Sequence, residues 1–450
     1  MTDATAETPR EGPSVGSLMR ADAHTSKRNA REKRFRMYGL IAVCSGILML
    51  LLLMSSILTA GLGAFFQTTI EIEVTLDADR LDPVGNRDRA DMSKVTTFGY
   101  APLLRDGLAE TVARAGIETE LSGRDIADLV SDESVAQLRS YVLDNPQLLG
   151  QTVPVEVLAS GRIDGFFKGR VTYETAELDK NISPAQLRLA EALEEADLLE
   201  TGFNWNFITW PDASTTRPEA AGLGVAILGS FYMMLIVLVL ALPIGVAASI
   251  YLEEFAPKNK LTDLIEVNIS NLAAVPSIVF GILGLAIFIN FAGLPQSAPI
   301  VGGLVLTLMT LPTIIIATRA SLKSVPPSIR DAALGLGASK MQSVFHHVLP
   351  LAMPGILTGT ILGLAQALGE TAPLLLIGMV AFVREYPDAP WEGGLFDPAT
   401  ALPVQVYNFT QRSDPAFVER ASGAIIVLLV FLLVMNLAAI YLRRKFERRW

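Results

Sequence analysis

Cysteine and histidine are nearly missing from this 450-residue sequence: one cysteine, Cys44, and three histidines, His24, His346 and His347. A single cysteine excludes disulfides within the chain and any cysteine-based zinc site. His346 and His347 are adjacent, and neighbours on a helix point in different directions, so they chelate poorly. No G-x-x-x-x-G-K-[ST] occurs. The nearest run, Gly335 to Lys340, has the wrong spacing to cradle a phosphate, so ATP binding by this chain is not expected. H-E-x-x-H is missing too. The net charge is -10 and the basic residues are not pooled in one folded patch, which argues against nucleic acid as a partner.

What the sequence has instead is apolar length. It is 51% hydrophobic with a mean hydropathy of +0.41, which is the composition of a membrane protein carrying one polar domain. Residues 1–36 are polar and read as a disordered cytoplasmic tail. Arg28, Arg31, Lys33, Arg34 and Arg36 stand directly before an apolar run. That run, 37–66, is too long for a signal-peptide core and is expected to be the first transmembrane helix, with its N-terminus cytoplasmic.

Residues 67–218 change character. Ile70, Ile72, Val74 and Leu76 alternate with polar residues, the pattern of a half-buried strand. Leu104, Leu108 and Val112 repeat every fourth residue, and Val135, Leu138 and Val142 keep helical spacing until Asn145-Pro146. Val153 to Leu158 reads as a strand. Ser183-Pro184 opens a helix expected to run to about Leu199. The expectation is an α+β domain with its own core. It holds no histidine or cysteine, and its many carboxylates read as a solvated acidic face.

From 219 to 442 five further spans are expected: Leu223–Leu252, Leu261 to about Phe291, Ala298 to about Ser321, Met353 to Phe382, and Ala421–Leu442. A basic tail, 443–450, comes after them. Six spans from a cytoplasmic N-terminus place 67–218 and the 383–420 loop outside. They place both termini and the polar island 326–350 inside, in agreement with the positions of Lys and Arg.

That island has the grammar helix, glycine break, helix. Ser328 with Asp331, and Ser339 with Gln342, fit capping boxes. Gly335 and Gly337 suit a left-handed turn between them, and Pro350 lies near the end of the second helix. Two short helices at an angle would make a compact knob. Asp331-Ala332-Ala333, then Gly337, then Leu349-Pro350 resembles the EAA signature of ABC importer permeases, with the spacing kept. Asp331 stands for the usual Glu, and His347 for the usual Ile. The resemblance implies an α-helical membrane protein with six spans in a type I ABC importer permease arrangement, here with an extra periplasmic α+β domain. It implies that the loop docks on a separate ATPase subunit. The implied partners are an ATPase dimer, a second and homologous permease subunit, and a soluble binding protein outside. No cofactor is implied.

The fifth expected span carries Gly355, Gly359 and Gly363 at i, i+4 and i+8, a ridge that lets another helix approach closely. Further on comes Gly369-Glu370-Thr371-Ala372-Pro373-Leu374-Leu375, similar to the same stretch in phosphate permeases of the PstA type. With Leu402-Pro403 and the loop signature, that likeness runs from about Gly222 to the C-terminus. It makes phosphate the preferred cargo, phosphate-binding protein the implied outer partner, and a bacterial inner membrane the location. Sulfate or molybdate permeases are the alternative, and a membrane-anchored ligand sensor a further one. The short cytoplasmic segments leave a sensor without an output domain. A carboxylate in an apolar span costs about 2.5–3.5 kcal/mol, so Glu370 needs water or a partner. Gln366, one turn earlier where relatives commonly carry Arg, and Arg319 in the fourth span are the candidates to share a translocation path with Glu370.

Overall fold

A computed structural model of the chain describes residues 23–212, 215–379 and 382–446. The chain divides into two units, Met1–Ile57 and Leu58–Trp450. The first, as far as it is described, belongs to one helix, α1 (Ala23–Gly61). The expected disordered tail is therefore helical from Ala23 on, and its first 22 residues lie outside the described part. Ala, Arg, Lys and Glu are good helix formers, and lengthening an existing helix needs no new nucleus.

The second unit begins with the end of α1 and a short tight helix, Leu62–Phe65, leading straight into β1 (Phe66–Thr75). The apolar run thus leaves α-helical geometry at Gly61, five residues before the expected end of the span. The polar segment then folds as α2 (Thr97–Arg114), α3 (Glu133–Asp144), β2 (Thr152–Leu158), α4 (Gly161–Phe167), α5 (Pro184–Glu195) and β3 (Leu199–Phe203). The sheet has the order β2-β1-β3, antiparallel throughout, with Ile72 opposite Val155 and Phe66 opposite Phe203. Ile70, Ile72, Val74 and Leu76 are fully buried in one core with Leu104, Leu108 and Val112 of α2. The alternation of period two on β1 meets the fourfold spacing on α2, which is why both patterns were readable.

Two details differ from expectation. Helix α5 stops at Glu195, and Leu199 opens β3, a strand whose sequence LETGF carries too little alternation to announce itself. At its start the capping box is Ser183 with Gln186.

A short helix, α6 (Trp205–Thr209), joins the sheet to the apolar core. That core is α7 (Gly224–Ile250), α8 (Lys260–Leu272), α9 (Ser277–Gly284), α10 (Pro299–Ser324), α11 (Pro327–Gly335), α12 (Lys340–Ser343), α13 (Leu349–Leu368), α14 (Ala372–Leu376), α15 (Leu402–Thr410) and α16 (Ala416–Phe446). Five described helices are long and apolar enough to cross a membrane, or six if a bent pair counts as one. The bent pair is the expected third span. Helix α8 meets the Ser277–Phe291 helix at 102°. Pro276 causes the break, since it disfavours helical geometry in the residue before it and cannot continue the ladder.

The expected fifth span also breaks. α13 ends at Leu368, and the chain turns through Gly369 and Glu370 before α14. Val380 and Ala381 of that expected span lie outside the described residues. The last span starts earlier than expected, at Ala416.

Candidate functional site: the 324–350 loop and the break at Glu370

The loop begins where α10 ends. Pro326 takes the N-cap position of α11 with an extended backbone, as a residue preceding proline must, and Pro327 opens the helix. Ser328 therefore lies inside the first turn and caps nothing, so the expected box with Asp331 does not form. Gly337 does take the left-handed turn, at φ +87°. Gly335 remains helical. The second box is present: Gln342 N–H donates to Ser339 Oγ at 3.2 Å, and Ser339 N–H to Gln342 Oε1 at 2.9 Å.

The expected second short helix is instead the start of a long one. From Lys340 the chain stays helical to Leu368, through a wider turn at Val344–Val348. Pro350 lacks the N–H that the carbonyl four residues earlier would accept, and a widened turn just before it absorbs the mismatch. Pro350 thus lies within a continuous helix and does not end one. The knob is α11 plus a tip, standing on the start of the next span.

Asp331 and Ala332 are exposed, Ala333 is buried, and Leu349 and Pro350 are half-buried. At the tip Leu336 is 90% exposed, with Leu334, Met341 and Phe345 exposed around it. The loop thus carries an exposed apolar tip on a polar base.

The sequence pattern gives no hint of what holds this knob. Arg330 Nε and Nη2 donate to Glu254 Oε1 at 3.0 and 2.7 Å. The same guanidinium donates to the carbonyls of Val325 at 2.8 Å and Leu322 at 2.9 Å. It thereby satisfies the open end of α10 and ties α11 to Glu254, in the wide turn Tyr251–Phe255 that extends α7. Lys340 sits over the Phe255 ring, 5.3 Å from its centroid. The signal available in the sequence was only a basic residue in the loop and two carboxylates after a span.

The glycine ridge faces α10. A side chain at Gly355 would come within 2.9 Å of Ser321 Cβ, one at Gly359 would collide with Ala317, and one at Gly363 would touch Ile314 at 3.5 Å. α10 and α13 therefore run antiparallel in close contact.

Arg319 is not near Glu370. It pairs with Glu266 of α8 at 2.6 Å and with Glu253 at 3.5 Å. Its level on α10 matches that of Gly355–Gly359, roughly 20 Å along α13 from Glu370 at 1.5 Å per residue. Gln366 is exposed on the last turn of α13, and Glu370 is half-exposed just beyond it. Among the described residues no side chain pairs with the Glu370 carboxylate. The segment after it is fixed: a side chain at Gly281 of α9 would lie 2.7 Å from Pro373 Cα, and Leu374, Ile377 and Met379 are buried.

A helical core of apolar spans, interrupted by a polar loop with an exposed apolar tip, is the architecture of a multi-pass membrane protein. Residues 241–450 match the family model of the binding-protein-dependent transport system inner membrane component, and residues 22–177 match a domain of unknown function, DUF3333. The chain belongs to that inner-membrane component family, the permeases of ABC transporters. It is 36% identical over 247 residues to the probable ABC transporter permease protein YqgI of Bacillus subtilis, covering 53% of this chain and 83% of that one. It is 33% identical to the phosphate transport system permease protein PstA of Xylella fastidiosa, covering 49% and 74%. Phosphate transport system permease protein PstA 1 of Mycobacterium tuberculosis is 31% identical, covering 51% and 72%. Among solved structures, an inward-facing MetNI methionine ABC transporter chain aligns at 16% identity and TM-score 0.38, over 50% of this chain and 95% of that one.

Proposed function

We propose that this chain is the permease subunit of an ATP-driven importer of inorganic phosphate in a bacterial inner membrane. The observation that carries the reading is the 324–350 loop: an exposed tip, a left-handed Gly337 and a base fixed by Arg330 to the ends of two spans. A movement imposed at the tip is passed to α7, α10 and α13 without slack, because α11 is braced and α12 to α13 is one helix. A separate ATPase dimer docks there. The PstA relatives supply the cargo, and YqgI, whose name states no cargo, leaves other oxyanions as the competing outcome of the test.

In this reading both termini and the loop face the cytoplasm, and 67–218 and the 383–420 loop face the periplasm, where a phosphate-binding protein delivers its load to this subunit and a homologous second permease. The basic residues before Met37 and after Leu442 support that orientation. Glu370, at the break with Gln366 beside it, lines the path. A lone carboxylate repels phosphate, so its work is to hold a cation brought by the partner subunit. Purification from native membranes should yield a Walker-motif ATPase and a second permease, and cells should take up labelled phosphate in a manner that needs this chain. Uptake of sulfate or molybdate instead would replace the cargo and keep the class.

A further inference from the structure

No charged side chain lies between Arg36 and Glu71. A helix crossing a hydrocarbon layer of about 30 Å needs about 20 residues. The uncharged helical part of α1, 37–61, already meets that length, so the residues after Gly61 sit at headgroup level. There the chain turns aromatic. Phe66, Phe203 and Trp205 are 47%, 48% and 66% exposed. Phe66 stands opposite Phe203 in the sheet, and the Phe203 ring lies 4.7 Å from Trp205 and 6.5 Å from Phe66, with Phe65 at 6.4 Å behind it.

The group is held rigidly from within. The buried side chain of Asn204 donates to Ala64 O at 3.3 Å and to Gln67 Oε1 at 3.2 Å, and accepts from Phe207 N–H at 3.0 Å. Its height is fixed by the spans. Leu223 N–H donates to Phe207 O at 2.8 Å, tying α6 to the start of α7. A side chain at Gly61 would lie 2.7 Å from the Ser422 backbone, so the end of α1 abuts the start of α16.

We propose that Phe66, Phe203 and Trp205 form an aromatic foot that seats the 67–218 domain in the phospholipid headgroup layer. Leu58 at the end of α1 and Leu62 just after it are exposed as well, so the apolar exposure extends back along the chain from Phe66 to the spanning helix. Tryptophan at the end of a span prefers that layer, with its ring among the lipid and its N–H in water, and the two phenylalanines extend the apolar side of that contact. A domain so seated does not swing freely above the membrane. This seating is independent of what the importer carries.

The test uses the full chain in phospholipid nanodiscs and takes the fluorescence difference between the native protein and Trp205→Phe as the Trp205 signal. The substitution keeps an aromatic ring, and equal thermal midpoints verify the fold. Lipids brominated high on the acyl chain should quench that signal roughly twofold or more, and more than lipids brominated near the bilayer centre, while aqueous iodide has little effect. Quenching by iodide but not by brominated lipid would place the foot in water. Protection from both would mean that protein covers it. Stronger quenching from the bilayer centre would put it in the hydrocarbon. Each of these results overturns the proposal.

Discussion

Glu419 and Glu370 are two carboxylates at the ends of apolar helices, and they live in opposite surroundings. Glu419, 8% exposed, accepts from Lys168 Nζ at 3.2 Å and faces Arg170 Nη1 at 2.8 Å. Asp164 closes the same group, meeting Lys168 at 2.7 Å and Arg170 at 3.3 Å and accepting from Thr68 N–H at 3.1 Å. Next to it Arg420, 2% exposed, donates to Ala64 O at 2.9 Å and Gln67 Oε1 at 2.8 Å, with Phe207 against its face at 5.1 Å. Every charge there has a partner inside the chain. Burial pushes the Lys168 ammonium below the usual lysine range, against the pull of Asp164 and Glu419. Glu370 has no such partner among the described residues. A closed network of this kind builds a joint, here between the 67–218 domain and the last span. A carboxylate left open at a helix break is available to something the chain does not contain.

The largest effect should come from opening the closed network. Arg420→Met leaves Ala64 O and Gln67 Oε1 with only the longer hydrogen bonds from Asn204, at 3.3 and 3.2 Å, and removes a positive charge from beside two carboxylates. Losing one partner of a buried charge network costs about 3–5 kcal/mol. The detergent-purified variant should melt well below the native chain, with 67–218 more open to trypsin. An unchanged midpoint would mean that the network carries no load.

Arg330→Met should come next. It strips Glu254 and the carbonyls of Leu322 and Val325 of a charged donor, about 1.5–3 kcal/mol for a hydrogen bond to a charged group. Uptake should fall several-fold, while ATP hydrolysis by the assembled importer stops responding to loaded binding protein. Gly337→Asp is milder in stability. Space is open around a new Cβ, so only the left-handed backbone is penalised, about 1–2 kcal/mol. Insertion should be normal and uptake lost, whereas full uptake would reduce the loop to a plain connection.

The smallest effect is one of pH. Burial pushes the Glu219 carboxyl above the ordinary carboxylate range, against its hydrogen bond from Ser131 Oγ at 2.6 Å. A raised folded value means that the folded state holds its proton longer. The stability this contributes is full below the unfolded value and is lost as pH rises through the folded one. Glu219→Gln should leave stability unchanged in acid and raise the melting midpoint slightly at neutral pH. An equal shift at every pH would show that Glu219 does not titrate in this range.

The sequence was legible where one pattern served one contact. Ile70 to Leu76 alternate because one face meets α2, and Ser339 with Gln342 close locally. Gly355, Gly359 and Gly363 mark a helix contact by spacing alone. It was illegible where prolines decided between alternatives: Pro276 breaks a span, Pro350 is absorbed within one, and Pro326-Pro327 shift a cap by two residues. Arg330 with Glu254, and Lys168 with Glu419, were out of reach because each pair joins residues far apart in sequence and nothing in either neighbourhood names the other.

The central claim is that Glu370 is an open charge in the transport path while Glu419 is a structural one. Proteoliposomes of the assembled importer carrying Glu370→Gln or Glu419→Gln should be compared for ATP-driven uptake of labelled phosphate and for thermal midpoint. Glu370→Gln should keep the midpoint and lose uptake by at least about tenfold, equivalent to about 1.4 kcal/mol. Glu419→Gln should lower the midpoint and spare the uptake of whatever remains folded. Normal uptake in Glu370→Gln, with loss only in Glu370→Leu, would contradict the account and leave Glu370 as a brace for the turn before Pro373.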